Sequence, residues 1–338
     1  MRALVTGGGG FLGSAIVRRL VERGRSVRTL QRGDYSWQRE LGVDVHRGDI
    51  ADRDTVRRAV EADGGVDIVF HVAAKAGVWG AQRDYIRANV TGTDNVLAAG
   101  RTGGARALVY TSSPSVVFDG RDESGIDECT PYPERYLAAY PATKAIAERR
   151  VLASSGDLLA TVALRPHLIW GPSDPHLVPR IIERAKANRL KLVGNGRNRV
   201  DSTYIDNAAH AHVLAGDQLL RDGAKAACAG KAYFISNGEP LPIADLINRI
   251  LAAGGLPPVT RRVSPRVAYV AGAVMETAYR LCRLRGEPIM TRFVARQLAT
   301  EHWFDLTAAR RDLGYEPIVS IDEGMAKLKA WLEGGGAA

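Results

Sequence analysis

Residues 5–13 read Val5-Thr6-Gly7-Gly8-Gly9-Gly10-Phe11-Leu12-Gly13, directly after a short apolar run that begins at Ala3. A strand that runs into a glycine turn and then a helix makes a cradle for the pyrophosphate of a dinucleotide. Glycine serves such a turn twice. The chain bends through backbone angles that a Cβ resists, and the phosphates come close to main-chain N–H groups. Gly7, Gly10 and Gly13 fit a G-x-x-G-x-x-G spacing, while Gly8, Gly10 and Gly13 fit the shorter G-x-G-x-x-G. A plain glycine-rich loop carries the same letters, but here a strand precedes it and an amphipathic run (Ile16, Val17, Leu20, Val21) follows it. That context makes Gly7, Gly10, Phe11, Leu12 and Gly13 the first cofactor-binding candidates, with the opening N–H groups of the helix facing the anion.

Outward from this loop, apolar runs suited to buried parallel strands recur at 3–6, 27–30, 43–46, 66–72, 107–111 and 161–164. Helical patterns alternate with them at 52–61, 84–100 and 138–154, which predicts an α/β fold of Rossmann type, a doubly wound parallel sheet. After Pro166 the pattern loosens and prolines accumulate. Residues 1–166 are therefore expected to form the dinucleotide-binding domain with the catalytic residues. Residues 167–333 are expected to add to the core and form a smaller C-terminal substrate lobe, and 334–338 a flexible tail. Ser320 and Glu323 have the spacing of a capping box that opens the last helix. Residues 267–284 read as an amphipathic helix with Val267, Val270, Val274, Ala278 and Leu281 on one stripe, expected to pack on the body of the protein. A membrane or substrate-entry role is the alternative.

The chain has 338 residues, 46% of them hydrophobic, enough for a large core. Cys129, Cys228 and Cys282 are far apart and in no metal-binding cluster, so reduced thiols, no metal and a cytoplasmic location are expected. No secretory signal or transmembrane span is read. The net charge of +9 is scattered in short doublets rather than gathered on one element, which argues against nucleic acid and for anionic cofactors and acidic substrates.

The second strand leads into Gln31-Arg32 with no carboxylate before Asp34. An acid there would hold the ribose hydroxyl of NAD, whereas a guanidinium at Arg32 can grip a 2′-phosphate, so NADP(H) is favoured over a merely solvent-facing Arg32. Asp49, followed by Ile50, lies where a carboxylate accepts from the adenine amino group; capping the next helix is its competing role.

Two further segments carry the chemistry. Tyr140-Pro141-Ala142-Thr143-Lys144 places a phenol and an ammonium four residues apart, on one face of a helix. A phenol has a pKa of about 10, and a nearby cation lowers it toward the range useful for proton transfer. Ser113, at the end of Val109-Tyr110-Thr111-Ser112-Ser113, is placed to donate to the same substrate oxygen. Pro141 is expected to push Tyr140 out of helical angles, to the helix entrance.

With these segments the chain resembles the extended short-chain dehydrogenase/reductase superfamily, through residues 6–13, Gly48-Asp49, residues 71–74, 89–96, 110–113 and 140–144, and Leu164-Arg165-Pro166. More narrowly it resembles the 3β-hydroxysteroid dehydrogenase-like branch, through Tyr140-Pro141 and residues 201–208. It is similar in residues 74–80, 143–148, 168–172 and 232–240 to the bacterial 2-alkyl-3-oxoalkanoate reductases of long-chain olefin biosynthesis. The resemblance implies that Tyr140 is the general acid, that Lys144 also holds the nicotinamide ribose, and that Ser113 positions the carbonyl. Ala73, Ala74 and Pro166 then contact the cofactor, and Asn89 takes a structural or proton-relay role. The implied reaction is NADPH-dependent reduction of a long-chain 2-alkyl-3-keto acid to the 3-hydroxy acid, with a homodimer and an assembly with neighbouring pathway enzymes as implied partners. A hydroxysteroid or sterol-carboxylate dehydrogenase shares the catalytic residues, and a non-catalytic NADP(H)-binding scaffold shares the fold. Trp79, Trp170 and Tyr204 are either channel lining or core, and Arg165 and His167 either meet a carboxylate or are structural.

Overall fold

The computed structural model describes residues 1–284 and 286–336. Seven strands, β1 (Arg2–Thr6), β2 (Ser26–Gln31), β3 (Asp44–Arg47), β4 (Ile68–His71), β5 (Ala107–Thr111), β6 (Ala160–Pro166) and β7 (Ala232–Ile235), form one sheet in the order β7-β6-β5-β4-β1-β2-β3. Every pairing in it is parallel. The chain winds outward from β1 through β2 to β3 and then returns to β4 on the other side of β1. The strand order therefore reverses between β1 and β4, where ligands enter sheets of this kind.

Helices cover both faces, as the unbroken apolar strands require. On one side α1 (Phe11–Glu22) packs Leu12, Ile16, Val17 and Leu20 against Val5 and Val27. On the other, α2 (Arg53–Glu61), α3 (Gly92–Thr102) and α4 (Ala139–Ala153) bury Val56, Val60, Val96, Leu97, Ala147 and Val151 against Leu4, Leu30 and Val69. The expected helix over 84–100 contains a π-helical turn at Ile86–Thr91. After Pro166 the chain returns to this body. Helix α5 (Ile205–Asp222) shares the core of α1, and β7 extends the sheet beside β6. A second, four-stranded sheet joins Glu123–Ile126, Arg199–Val200, Leu241–Pro242 and His302–Phe304.

The capping box is formed: Ser320 accepts from the Glu323 amide, and the Glu323 carboxylate accepts from the Ser320 amide. The Gly336 amide donates to the Trp331 carbonyl, closing the last helix. Of the expected flexible tail, residues 337 and 338 lie outside the described residues.

Helix α6 (Pro265–Leu281) corrects the expected orientation of the apolar stripe. Val267, Val270, Val274 and Leu281 are 58%, 60%, 64% and 78% exposed, while Ala268, Gly272 and Glu276 are buried. Gly272 abuts the Thr291–Arg292 backbone at the start of α7 (Arg292–Ala299), so closely that a Cβ would lie 2.6 Å from the Thr291 carbonyl carbon. The Glu276 carboxylate accepts from the Arg292 amide at 2.7 Å and from its Nε at 2.9 Å. A small residue and a carboxylate seated on a helix N-terminus decide which face goes inward, and the valines are left outside.

Candidate active site

The cradle forms at the end of β1. Gly7 turns at φ +71°, and its carbonyl accepts from the Gly10 amide at 2.9 Å. A Cβ on Gly7 would lie 3.0 Å from Ala73 Cα, and one on Gly13 would collide with the Gly7 carbonyl. No side chain caps α1 and no acid sits in its first turn, so Gly10, Phe11 and Leu12 present a helix start open to an anion. The residues present thus fit a pyrophosphate. Ala73 lies across the cradle from Gly7, its amide donating to Thr6 Oγ1.

Arg32 is exposed just past β2, and among the described residues its guanidinium has no hydrogen bond or ion pair. Its neighbour Asp34 is bound by Arg39 at 2.6 Å and is held below the ordinary carboxylate range by it. An unengaged guanidinium beside a neutralised acid suits a ribose phosphate. Asp49 accepts from the Ala51 amide and pairs with Arg87 at 2.9 Å. The cap of α2 is Asp52, which accepts from the Thr55 amide, so the competing reading of Asp49 as that cap is set aside. Ile50 is buried in the core beneath α3.

Tyr140 is the second residue of α4 and Pro141 the third, so Tyr140 stands at the helix entrance, inside the helix, with Pro141 in the first turn. The proline costs nothing there because the first amides of a helix have no intrahelical acceptor. Thr143 Oγ1 donates to the Ala139 and Tyr140 carbonyls and accepts from Asn89 Nδ2 at 3.1 Å. Asn89 also holds the Lys75 amide and carbonyl, so it ties the loop after β4 to the start of α4. Its contacts in this structure are those of a brace.

Ser113 follows β5 and caps a short 3₁₀ turn, its Oγ lying 2.9 Å from Ser115 Oγ. Burial pushes the Tyr140 phenol above its ordinary value, and the neighbouring Ser113 hydroxyl pulls the other way. Lys144 follows one turn further along α4. Its ammonium donates to the Thr111 carbonyl at 2.5 Å, lies over the Tyr110 ring, and is brought down to about 7 by burial against the pull of Glu148. The ammonium is thus directed at the end of β5.

Glu148, one turn beyond Lys144, is the residue that reading missed. It is fully buried and accepts from Arg165 at 2.7 Å and 3.0 Å and from Tyr132 at 2.6 Å. The signal was the continuing four-residue step from Tyr140 through Lys144 to Glu148. Arg165 is thereby engaged inside the fold, and His167, kept neutral by burial, binds the Asp201 carbonyl through Nδ1. Both are held by groups of the fold itself. Trp170 and Tyr204 stack edge-to-face in the core. Pro166 ends β6.

A cavity of about 580 Å³ is bordered by Ala139 and Ala142, which flank Tyr140 in sequence. Its wall also includes Trp79, Leu137 and Phe293 and the polar Gln82, Glu276 and Arg280, Ala74 leading the loop to Trp79. Arg280 lies over the Trp79 ring and Tyr279 meets the same ring edge-on, so α6 roofs this cavity with its inner face. Among the described residues no cluster of three or more His, Cys, Asp or Glu is suited to a metal, and no helix is long and apolar enough to cross a membrane.

Residues 4–263 match the family model of the 3-beta hydroxysteroid dehydrogenase/isomerase family. The 2-alkyl-3-oxoalkanoate reductase of Stenotrophomonas maltophilia is 56% identical over 333 residues, covering 98% of this chain and 99% of that one. The protein of the same name from Shewanella oneidensis is 53% identical over 337 residues, covering 98% and 86%. Among solved structures, MoeE5 in complex with UDP-glucuronic acid and NAD superposes with a TM-score of 0.76 at 25% identity, covering 99% of this chain and 100% of that one.

Proposed function

The chain belongs to the 3-beta hydroxysteroid dehydrogenase/isomerase family of oxidoreductases, and we propose that it reduces 2-alkyl-3-oxoalkanoic acids to 2-alkyl-3-hydroxyalkanoic acids with NADPH, in long-chain olefin biosynthesis. One observation supports this reading above the others. Ala139 and Ala142, on either side of Tyr140 along α4, line a cavity together with Trp79, Leu137 and Phe293, so the start of the helix that carries the proposed acid borders a space of substrate size. The full-length identity to proteins named for this reaction points the same way.

When bound, the cofactor supplies hydride to the carbonyl carbon. Tyr140 gives its proton to the carbonyl oxygen as negative charge grows there, and the Ser113 hydroxyl donates to the same oxygen. Lys144 holds the nicotinamide ribose and steadies the tyrosinate that remains. Gly7, Gly10, Phe11, Leu12 and Gly13 receive the pyrophosphate, Arg32 the 2′-phosphate, Asp49 and Ile50 the adenine, and Ala73, Ala74 and Pro166 the nicotinamide half. The free thiols of Cys129, Cys228 and Cys282 support a cytoplasmic location. A homodimer, and an assembly with enzymes that make the keto acid and consume the hydroxy acid, belong to the same reading on the resemblance alone.

The test runs in reverse, because 3-keto acids lose carbon dioxide spontaneously. Purified protein is given 2-alkyl-3-hydroxy acid with NADP⁺ or NAD⁺, and reduced nicotinamide is followed by absorbance. Turnover with NADP⁺ supports the assignment. The family model's own description favours a second reading, hydroxysteroid oxidation; turnover of a 3β-hydroxysteroid without turnover of the hydroxy acid would establish it instead. Inactivity toward both, with NADPH still bound, leaves a cofactor-binding scaffold.

A further inference from the structure

The outward face of α6 is a ridge without a partner in the fold. Val267, Val270, Val274 and Leu281 follow one another at helical spacing, each more than half exposed, and Leu284 and Ile289 extend the apolar surface beyond the helix end. Such a row is costly in water, and it is not a remnant of poor packing. The inner face of the same helix is well engaged through Ala268, Gly272 and Glu276. A helix that turns its carboxylate inward and its valines outward is built to meet something apolar.

Charge decides what that is. Arg262 and Arg266 are exposed where the helix begins, and Arg283 is exposed where it ends. The acid nearest the ridge end, Glu287, is paired with Arg180 at 3.5 Å, and Glu276 is buried. The chain as a whole carries +9. An apolar stripe one helix wide with cations at both ends matches the layering of an anionic bilayer surface, acyl chains beneath phosphates.

We propose that α6 seats this protein on an anionic lipid surface, with the ridge in the acyl boundary and the flanking arginines among the headgroups. Through Glu276 and Arg280, α6 roofs the cavity that Ala139 and Ala142 line, so the same docking sets the cavity wall of Trp79 and Arg280 close to the lipid. If the substrate reading above holds, this is the side from which a long-chain acid would arrive; the docking itself does not depend on that reading.

The full chain is sedimented with vesicles of phosphatidylcholine alone and with phosphatidylglycerol at roughly one lipid in four, without substrate or cofactor. The expected result is pelleting with the anionic vesicles. The double variant Val270→Asp/Val274→Asp lowers the partition by about tenfold or more; Val270→Ser/Val274→Ser lowers it by less, and Arg266→Glu/Arg283→Glu weakens it with a reduced salt dependence. Circular dichroism and NADPH binding of all three variants match the parent. The proposal is overturned if the parent stays in the supernatant, or if the aspartate variant pellets as the parent does. It is overturned also if the parent is a dimer that the aspartate variant dissociates, which assigns the ridge to a second copy. Because lipid binding is read without turnover, its failure is distinct from a failure of the reductase assay.

Discussion

The loop at residues 7–13 and the helix α6 solve opposite problems. In the loop the backbone is the working surface, and side chains are excluded because a Cβ would collide with the Gly7 carbonyl or crowd Ala73. In α6 the backbone is wrapped, and what matters is which side chains face out. The geometry of the loop is decided within a few residues by steric rules. The orientation of α6 is decided by α7, sixteen residues from Glu276 at their joining hydrogen bond. Function that rests on backbone donors is therefore locally determined, whereas function that rests on an exposed face depends on what distant elements leave uncovered.

The comparison breaks first if the N-terminal half does no chemistry. Tyr140→Phe removes the proton and leaves the ring, so kcat should fall by about 10²–10⁴-fold while NADPH affinity, read by fluorescence titration, stays within about twofold. Unchanged turnover would remove Tyr140 from the reaction. Gly13→Ala tests the excluded side chain directly. Overpacking against the Gly7 carbonyl should cost about 1–3 kcal/mol of stability in urea and abolish cofactor binding; a variant that binds NADPH normally would show the loop to be an ordinary turn.

The region beyond Pro166 offers a contrast in pH. Asp201 is buried and raised to about 6 from 3.8, chiefly by desolvation, with Oδ2 held by the Phe304 amide and Oδ1 unpartnered. A folded-state pKa above the unfolded one means that the native protein binds the extra proton. Stability is therefore fully present below the unfolded value near 3.8 and declines as pH rises toward 6. The loss is on the order of 2–3 kcal/mol, and Asp201→Asn should flatten that slope in urea denaturation between the two values. Equal slopes would show that Asp201 is not the group responsible. A smaller effect is expected at Arg32. Arg32→Ala should raise the Kd for NADPH about 10–100-fold and leave that for NADH nearly unchanged; parallel losses would mean that Arg32 does not read the 2′-phosphate.

These expectations also mark what spacing can and cannot carry. Six strands, the doubly wound class, the capping box at Ser320 and the glycine turn were legible because each rests on local geometry or on a short sequence period. The seventh strand, Ala232–Ile235, was not, because it reaches the sheet only after the long excursion that follows β6. Nor was the direction of Lys144. A four-residue step puts it on the face of Tyr140, but the Thr111 carbonyl that binds it comes from β5, a strand fixed by tertiary packing. Glu148 illustrates the same limit. Its distance from Lys144 along α4 is readable, whereas its ion pair with Arg165 requires β6 beside α4.

The smallest effect sharpens the comparison most. Val274 is 64% exposed, so Val274→Ser removes little buried area and should change the urea midpoint by less than about 0.5 kcal/mol equivalent. The matching change at Val56, fully buried under the sheet, creates a cavity and strands a hydroxyl, and should cost about 2–4 kcal/mol. Sequence alone puts both valines in segments read as helical. If Val274→Ser proves as damaging as Val56→Ser, the ridge is covered in solution by the protein itself, and the outward face of α6 is an interior surface of an assembly rather than a place for lipid.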